Sequence, residues 1–408
     1  MDSKFVDINE LDYKTRDRLD VYLKKMVNDG GSDLHFKSGS IVRGRFNGKI
    51  KPMSDEIFSQ KEGIILAKEL LRRRFDELVE NKSVDFTYVV NNDYRFRVNI
   101  FFQMDGVSAV FRTIPKVVPT IESLGLPPVV KDLCDNIKRG IILVTGATGS
   151  GKTTTLASII NHINTHDRAH IITIEDPIEF VYKDDKCIIN QRSIGQDALS
   201  FKDALRAALR EDPDVILVGE MRDLQTMEIA INAAQTGHLV LSTLHTLDAK
   251  ETINRVISMF PIEEQERIRT SFASVLGAII SQRLIPTTDN KRTAALEILI
   301  SNHRVKEKIL DKKDQEIYDV IKESRNTLRM QTFDQHLLDL FDAGIITEDV
   351  ALENSTKRDN LKILLKNVKL AKNGVIPNDN QETIKAAYEK AGYVLPKLKA
   401  SDDEEENL

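Results

Sequence analysis

Gly146-Ala147-Thr148-Gly149-Ser150-Gly151-Lys152-Thr153 is the stretch from which the rest of the chain is read. It follows the apolar run Ile141-Ile142-Leu143-Val144 and precedes Leu156, Ile159, Ile160 and Ile163 at helical spacing. Strand, glycine-rich turn and helix start in that order match G-x-x-x-x-G-K-[ST], a loop whose main-chain N–H groups cradle phosphate. Glycines let the backbone approach the oxygens without side-chain clashes, and the helix start adds unpaired donors and the positive end of a dipole. Lys152 is the candidate cation for the β- and γ-phosphates, Thr153 the candidate Mg²⁺ ligand, and Thr154 continues the cradle into the helix. A nucleoside triphosphate site is therefore expected in an α/β setting.

Bulk properties narrow the class. The 408 residues are 41% hydrophobic and 30% charged with a formal net charge of −5, values of a globular chain with room for two or three cores. That balance argues against coating nucleic acid. Two cysteines, Cys134 and Cys187, exclude a disulfide framework and a four-cysteine zinc module. No apolar run reaches the length of a membrane span, so a cytoplasmic protein, at most docked at a membrane, is expected.

Along the chain, residues 1–113 read as an α+β domain with a mostly antiparallel sheet. Ser32–Phe36, Ile41–Phe46, Val84–Tyr88, Tyr94–Ile100 and Val107–Arg112 have strand character, and residues 60–80 form a charged amphipathic helix. Prolines 115, 119, 127 and 128 mark residues 114–139 as a linker and lead-in helix. From Gly140 strands and helices alternate as in a parallel sheet, giving an ATPase domain over 140–365. Within it, residues 262–285 and 302–350 read as largely helical. Residues 366–408 are a C-terminal extension ending in an acidic, disordered tail at 401–408.

Hydrolysis needs a positioned water, a metal and positive charge for the transition state. Glu175, Asp176 and Glu179 come off the end of the His170–Ile174 run, and Glu220 off the end of Val215–Val218. Ligands of open α/β sheets sit at such strand ends. Glu179 is the candidate general base and Glu220 the candidate outer-shell Mg²⁺ ligand. His238 and His245 bracket one strand and are roughly 20 Å apart along it, too far to share one phosphate, with His245 the better-placed γ-phosphate sensor. Arg95 and Arg97 share a strand face and Arg112 closes the next strand, and Arg97 and Arg112 are candidate arginine fingers.

GATGSGKTTT, IITIEDPIEF, DPDVILVGEMRD and TGHLVLSTLHT, in this order, resemble the secretion-ATPase superfamily of type II secretion and type IV pili. SDLHF, RFRVNIF, FRTIP and MQTFDQHL extend the resemblance over residues 20–360. Within it the chain looks like a retraction motor of the PilT/PilU group. The extension and secretion ATPases usually carry a zinc insert that two cysteines cannot form. EIYDVIKESRNTLRMQTFD and SQRL look more like PilU, the accessory member.

The resemblance implies a PAS-like N-terminal domain before a RecA-like P-loop ATPase domain, ATP and Mg²⁺ as cofactors, and a homohexamer. The hexamer would be docked on an inner-membrane pilus platform protein, with a second retraction ATPase as a further partner. It carries the family's P-loop lysine onto Lys152 and its Asp-box glutamate onto Glu179. The second-motif glutamate falls on Glu220, the His-box histidines on His238 and His245, and the N-domain arginines on Arg97 and Arg112. The alternatives are a pilus-extension or type II secretion assembly ATPase and a nucleotide-gated scaffold that does not hydrolyse.

Overall fold

A computed structural model describes residues 11–91, 93–104 and 106–372; the expected acidic tail at 401–408 and most of the 366–408 extension lie outside these residues. The chain divides into two compact units. One holds the residues up to Val118 with Thr173–Lys183 and Ile189–Ala204; the other holds Pro119–Ile172, Asp184–Ile188 and the residues from Leu205 on.

In the first unit, strands β1 (Asp33–Lys37), β2 (Ser40–Phe46), β3 (Lys49–Phe58), β4 (Ser83–Asn91), β5 (Tyr94–Gln103) and β6 (Gly106–Ile114) form one sheet in the order β3-β2-β1-β6-β5-β4. Every neighbouring pair in it is antiparallel. Alternation dictates its two faces. Leu34, Phe36, Phe96, Val98 and Phe111 are buried with Leu19, Leu23 and Leu66 from the helices Lys14–Asn28 and Gln60–Leu71. The intervening positions on the other face carry Asp33, Arg97 and Arg112. Ser59 and Glu62 close a capping box that fixes the start of the second helix. The charged helix expected over 60–80 is interrupted at Arg72–Arg74, where Arg72 takes φ 50° and the chain tightens to 3₁₀ before a further helix, Phe75–Asn81.

The other sheet contains β7 (Gly140–Thr145), β8 (His170–Glu175), β9 (Ile188–Ser193), β10 (Val215–Val218), β11 (Leu239–Leu244), β12 (Leu276–Pro286) and β13 (Arg292–Ile300), in the order β13-β12-β7-β11-β10-β8-β9. β12, β7, β11 and β10 run parallel and β13 is antiparallel to β12. Side chains of β7, β10 and β11 are buried throughout, as strands covered on both faces require. This is the mixed α/β fold with a RecA-like order of parallel strands, accompanied by an N-terminal antiparallel unit.

One expectation fails in an instructive place. Residues 276–285 are strand, not helix: the helix stops at Val275, and β12 continues into a hairpin with β13. Leu276-Gly277-Ala278-Ile279-Ile280 is apolar on both faces, so its periodicity does not separate helix from strand. Pairing with β7 on one edge and β13 on the other makes it strand. Beyond the hairpin, Ile285 and Ala295 pack with Phe333, Leu337, Leu361 and Leu365 in a separate C-terminal core. On β12, the Arg283 guanidinium lies 3.8 Å over the Phe333 ring and donates to the Asn354 carbonyl.

Candidate active site

The phosphate loop leaves the C-terminal end of β7. Gly146, Gly149 and Gly151 take φ of 146°, 79° and 90°, conformations that side chains disfavour. A Cβ on Gly146 would stand 2.4 Å from the Gln282 carbonyl oxygen and 2.6 Å from Ser150 Oγ. Lys152 opens the helix Lys152–His166 and is buried; its Nζ donates to the carbonyls of Gly146 (2.9 Å) and Ala147 (3.0 Å). The ammonium thus rests on the carbonyls of its own loop. Ser150 Oγ is buried without a hydrogen-bond partner, a group suited to an incoming ligand atom. Beside the loop lies a cavity of about 390 Å³ whose lining includes Leu124, Leu126, Gly151, Thr154, Gln282 and Arg292.

Three further features share the C-terminal edge of these strands. Register pairs Leu244 with Thr145, so His245 and Gly146 follow directly from paired residues. Glu220 follows β10, beside β11, and its carboxylate takes His245 Nε2 at 3.2 Å and Arg222 Nη2 at 2.7 Å. Burial pushes the Glu220 carboxyl upward, but the Arg222 hydrogen bond and the charges of Arg222 and His245 outweigh it and hold the group below its ordinary range. Thr243 Oγ1 donates to the Gly219 carbonyl at 2.7 Å, fixing the strand end that carries Glu220.

His238 is placed elsewhere. It precedes Leu239, which pairs with Gly140 at the start of β7, the edge opposite the phosphate loop. Its Nδ1 contacts the Ala233 carbonyl (2.9 Å) and Thr236 Oγ1 (3.1 Å) at the end of the helix Leu224–Gln235. A six-residue strand, about 20 Å, separates it from the loop of its own chain, so this cradle does not include it.

The first unit holds the remaining candidates. Register sets Arg97 of β5 opposite Arg112 of β6 on one face. Neither stands free: Arg97 Nη1 lies 3.4 Å from Glu179 Oε1, and Arg112 Nε donates to Asp33 Oδ1 at 2.8 Å. Ser32 Oγ donates to Asp33 Oδ2 at 2.7 Å. Burial alone would raise the Asp33 carboxyl, but the bonds from Ser32 and Arg112 lower it. Glu175 accepts from Thr173 Oγ1 (2.8 Å) and Gln191 Nε2 (3.3 Å), and burial pushes it up to about 7. Burial thus favours the neutral form of Glu175, whereas Glu179 is in contact with a cation.

Asp33, Gln282 and Arg292 carry no motif that marks them in the sequence. SDLHF signals the first only as part of a strand. The others sit on β12 and β13, whose hairpin signal is the Asp289-Asn290 turn between two apolar runs.

Residues 16–369 match the family described as "Type II/IV secretion system protein". The chain belongs to that family. It is 43% identical to the type IV pilus retraction ATPase PilT of Pseudomonas aeruginosa over 82% of this chain and 97% of that protein. Against the type IV pilus ATPase PilU of the same organism it is 37% identical over 84% of this chain and 90% of that protein. A crystal structure of the pilus retraction motor PilT with bound ADP superposes with a TM-score of 0.77 at 45% identity, covering 83% of this chain and 97% of the other. The chain is accordingly a P-loop ATPase of this family, built to bind a nucleotide. No helix among the described residues is long and apolar enough to cross a membrane.

Proposed function

We propose that the chain is a motor ATPase that powers retraction of type IV pili, working as a homohexamer on the cytoplasmic side of an inner-membrane pilus platform. A PAS-like domain over 1–113, a linker over 114–139 and a RecA-like domain over 140–365 are its working parts. The observation that carries the reading is the phosphate loop at the same strand edge as the ionised Glu220 and His245.

Each residue then has a defined task. The N–H groups of Gly149 to Thr154 take the phosphates of ATP, and Lys152 exchanges the carbonyls of Gly146 and Ala147 for phosphate oxygens. The neighbouring cavity takes base and sugar against Leu124 and Leu126. Among the described residues no cluster of three or more His, Cys, Asp or Glu side chains could hold a metal alone. Mg²⁺ would therefore take its ligands from phosphate, water and the Thr153 hydroxyl, with ionised Glu220 in the outer shell, and would neutralise charge on the phosphates. Glu179 orients the attacking water once Arg97 leaves it, and Arg97 and Arg112 stabilise the charge that develops on the phosphoryl group. His245 reports the γ-phosphate to Glu220.

Deleting the gene tests the direction of the motor. Hyperpiliated cells without twitching are expected; bald cells would instead make it an extension ATPase. An accessory role shows as impaired twitching that overexpression of a second retraction ATPase restores.

A further inference from the structure

We propose that Gln282, outside the P-loop signature, is a positioning residue that sets the phosphate loop before nucleotide arrives. The inference rests on the loop being the nucleotide site. Gln282 is buried on β12, beside β7 in the sheet, and both ends of its amide are engaged. Nε2 donates to the Ser150 carbonyl at 2.6 Å, while Oε1 accepts from Thr155 Oγ1 at 2.7 Å on the helix that follows the loop.

A planar trans peptide points its C=O and the next N–H in opposite directions. Holding the Ser150 carbonyl toward β12 therefore turns the Gly151 N–H away from β12, toward the side on which a phosphate-binding amide is needed. The amide orientation is itself determined. Reversed, Oε1 would face the Ser150 carbonyl, two acceptors in contact.

The same residue accounts for two of the signature glycines. Its main-chain oxygen occupies the space of a Cβ at Gly146, 2.4 Å away, and its Nε2 that of a Cβ at Gly151, 2.8 Å away. Main chain and side chain of one strand residue thus shape both ends of the loop. The phosphate cradle is then assembled in advance, which lowers the ordering cost at binding.

The test is the preference for ADP over AMP, measured with the full chain by competition against a fluorescent ADP analogue. The wild-type chain is expected to favour ADP because the loop grips the β-phosphate; no such preference would overturn the nucleotide-site reading itself. Gln282→Leu, close in volume but unable to donate, is expected to weaken ADP by about tenfold, the scale of one lost buried hydrogen bond, and to weaken AMP, which it meets only as part of the cavity wall, by clearly less. Thr155→Val, nearly isosteric, removes only the donor that orients the amide and is expected to cost ADP roughly threefold. Gln282→Asn should recover part of the loss when Leu does not. General destabilisation would lower both nucleotides together. An unchanged ADP:AMP ratio in Gln282→Leu overturns the proposal, and should that variant fail to fold, an unchanged ratio in Thr155→Val does so.

Discussion

Replacing Glu297 by Gln should make the protein more stable at pH 8 and leave it unchanged in acid. Glu297 lies inside β13, fully buried, with Oε1 accepting the Ala249 N–H at 2.9 Å at the start of the helix Ala249–Ser258. Burial raises its carboxyl to about 7 from the 4.5 of an exposed glutamate. The Ala249 hydrogen bond and Arg283 pull it down, while Asp248 and Asp334 push it further up. Arg283 does not rescue the charge, because its guanidinium is committed to Phe333 and the Asn354 carbonyl.

The folded chain therefore holds this proton more tightly than the unfolded chain does. The stability so gained is fully present below pH 4.5 and is lost as the pH rises through 7. A shift of this size corresponds to about 3 kcal/mol, at about 1.4 kcal/mol per pH unit. Glutamine keeps the carbonyl that accepts from Ala249 and never ionises. Thermal unfolding of wild type and Glu297→Gln, followed by circular dichroism at several pH values from 4.5 to 8, isolates the effect. Glu175, also raised to about 7, is present in both proteins and cancels in the difference. A melting difference that widens with pH, reaching several degrees at pH 8, is expected. A constant difference, or a variant less stable than wild type at pH 8, would show the carboxylate to be comfortably ionised and refute the reasoning.

Other expectations concern the site and its support. Lys152→Ala should abolish phosphate release, and near-normal turnover would remove the loop from the mechanism. Glu179→Gln should bind ATP normally but hydrolyse it about 10²-fold more slowly, the scale of a lost general base, which single-turnover kinetics can read. In Gly146→Ala the new methyl meets the Gln282 backbone oxygen, and strain of about 1–3 kcal/mol should weaken ADP binding at least about fivefold in a fluorescence titration. Asp314→Asn leaves Arg269 buried after losing the carboxylate that its Nη1 meets at 2.9 and 3.1 Å. Denaturant unfolding should register a loss of about 3–5 kcal/mol.

What could be read from the residues, and what could not, follows from the range of the forces involved. The phosphate loop is local: strand, glycines and helix start are contiguous, so composition alone announces Lys152 and Thr153. Alternation in Tyr94–Ile100 likewise shows which residues face the core of the first unit, because one face of that sheet is polar. β12 is the opposite case. Apolar on both faces over Leu276–Ile280, it carries no alternation there, and its strand state comes from pairing with β7, more than a hundred residues away in sequence, as well as with β13. Gln282 was hidden with it. The salt bridges of Arg97 and Arg112 were equally beyond reach, since sequence gives the shared face but not that Glu179 and Asp33 would claim the two guanidinium groups.

Consecutive residues of a strand project to opposite sides, and β12 gives that geometry a mechanical meaning. Gln282 is tied to the phosphate loop and its neighbour Arg283 to the C-terminal helices. The two attachments are one peptide apart on a strand that is paired with β13 through both residues, just beyond the point, Ser281, where its pairing with β7 ends. The phosphate loop and the C-terminal segment bearing Phe333 and Asn354 are thus joined through adjacent residues of one strand. β12 is in this sense a rib shared by the phosphate loop and the C-terminal core.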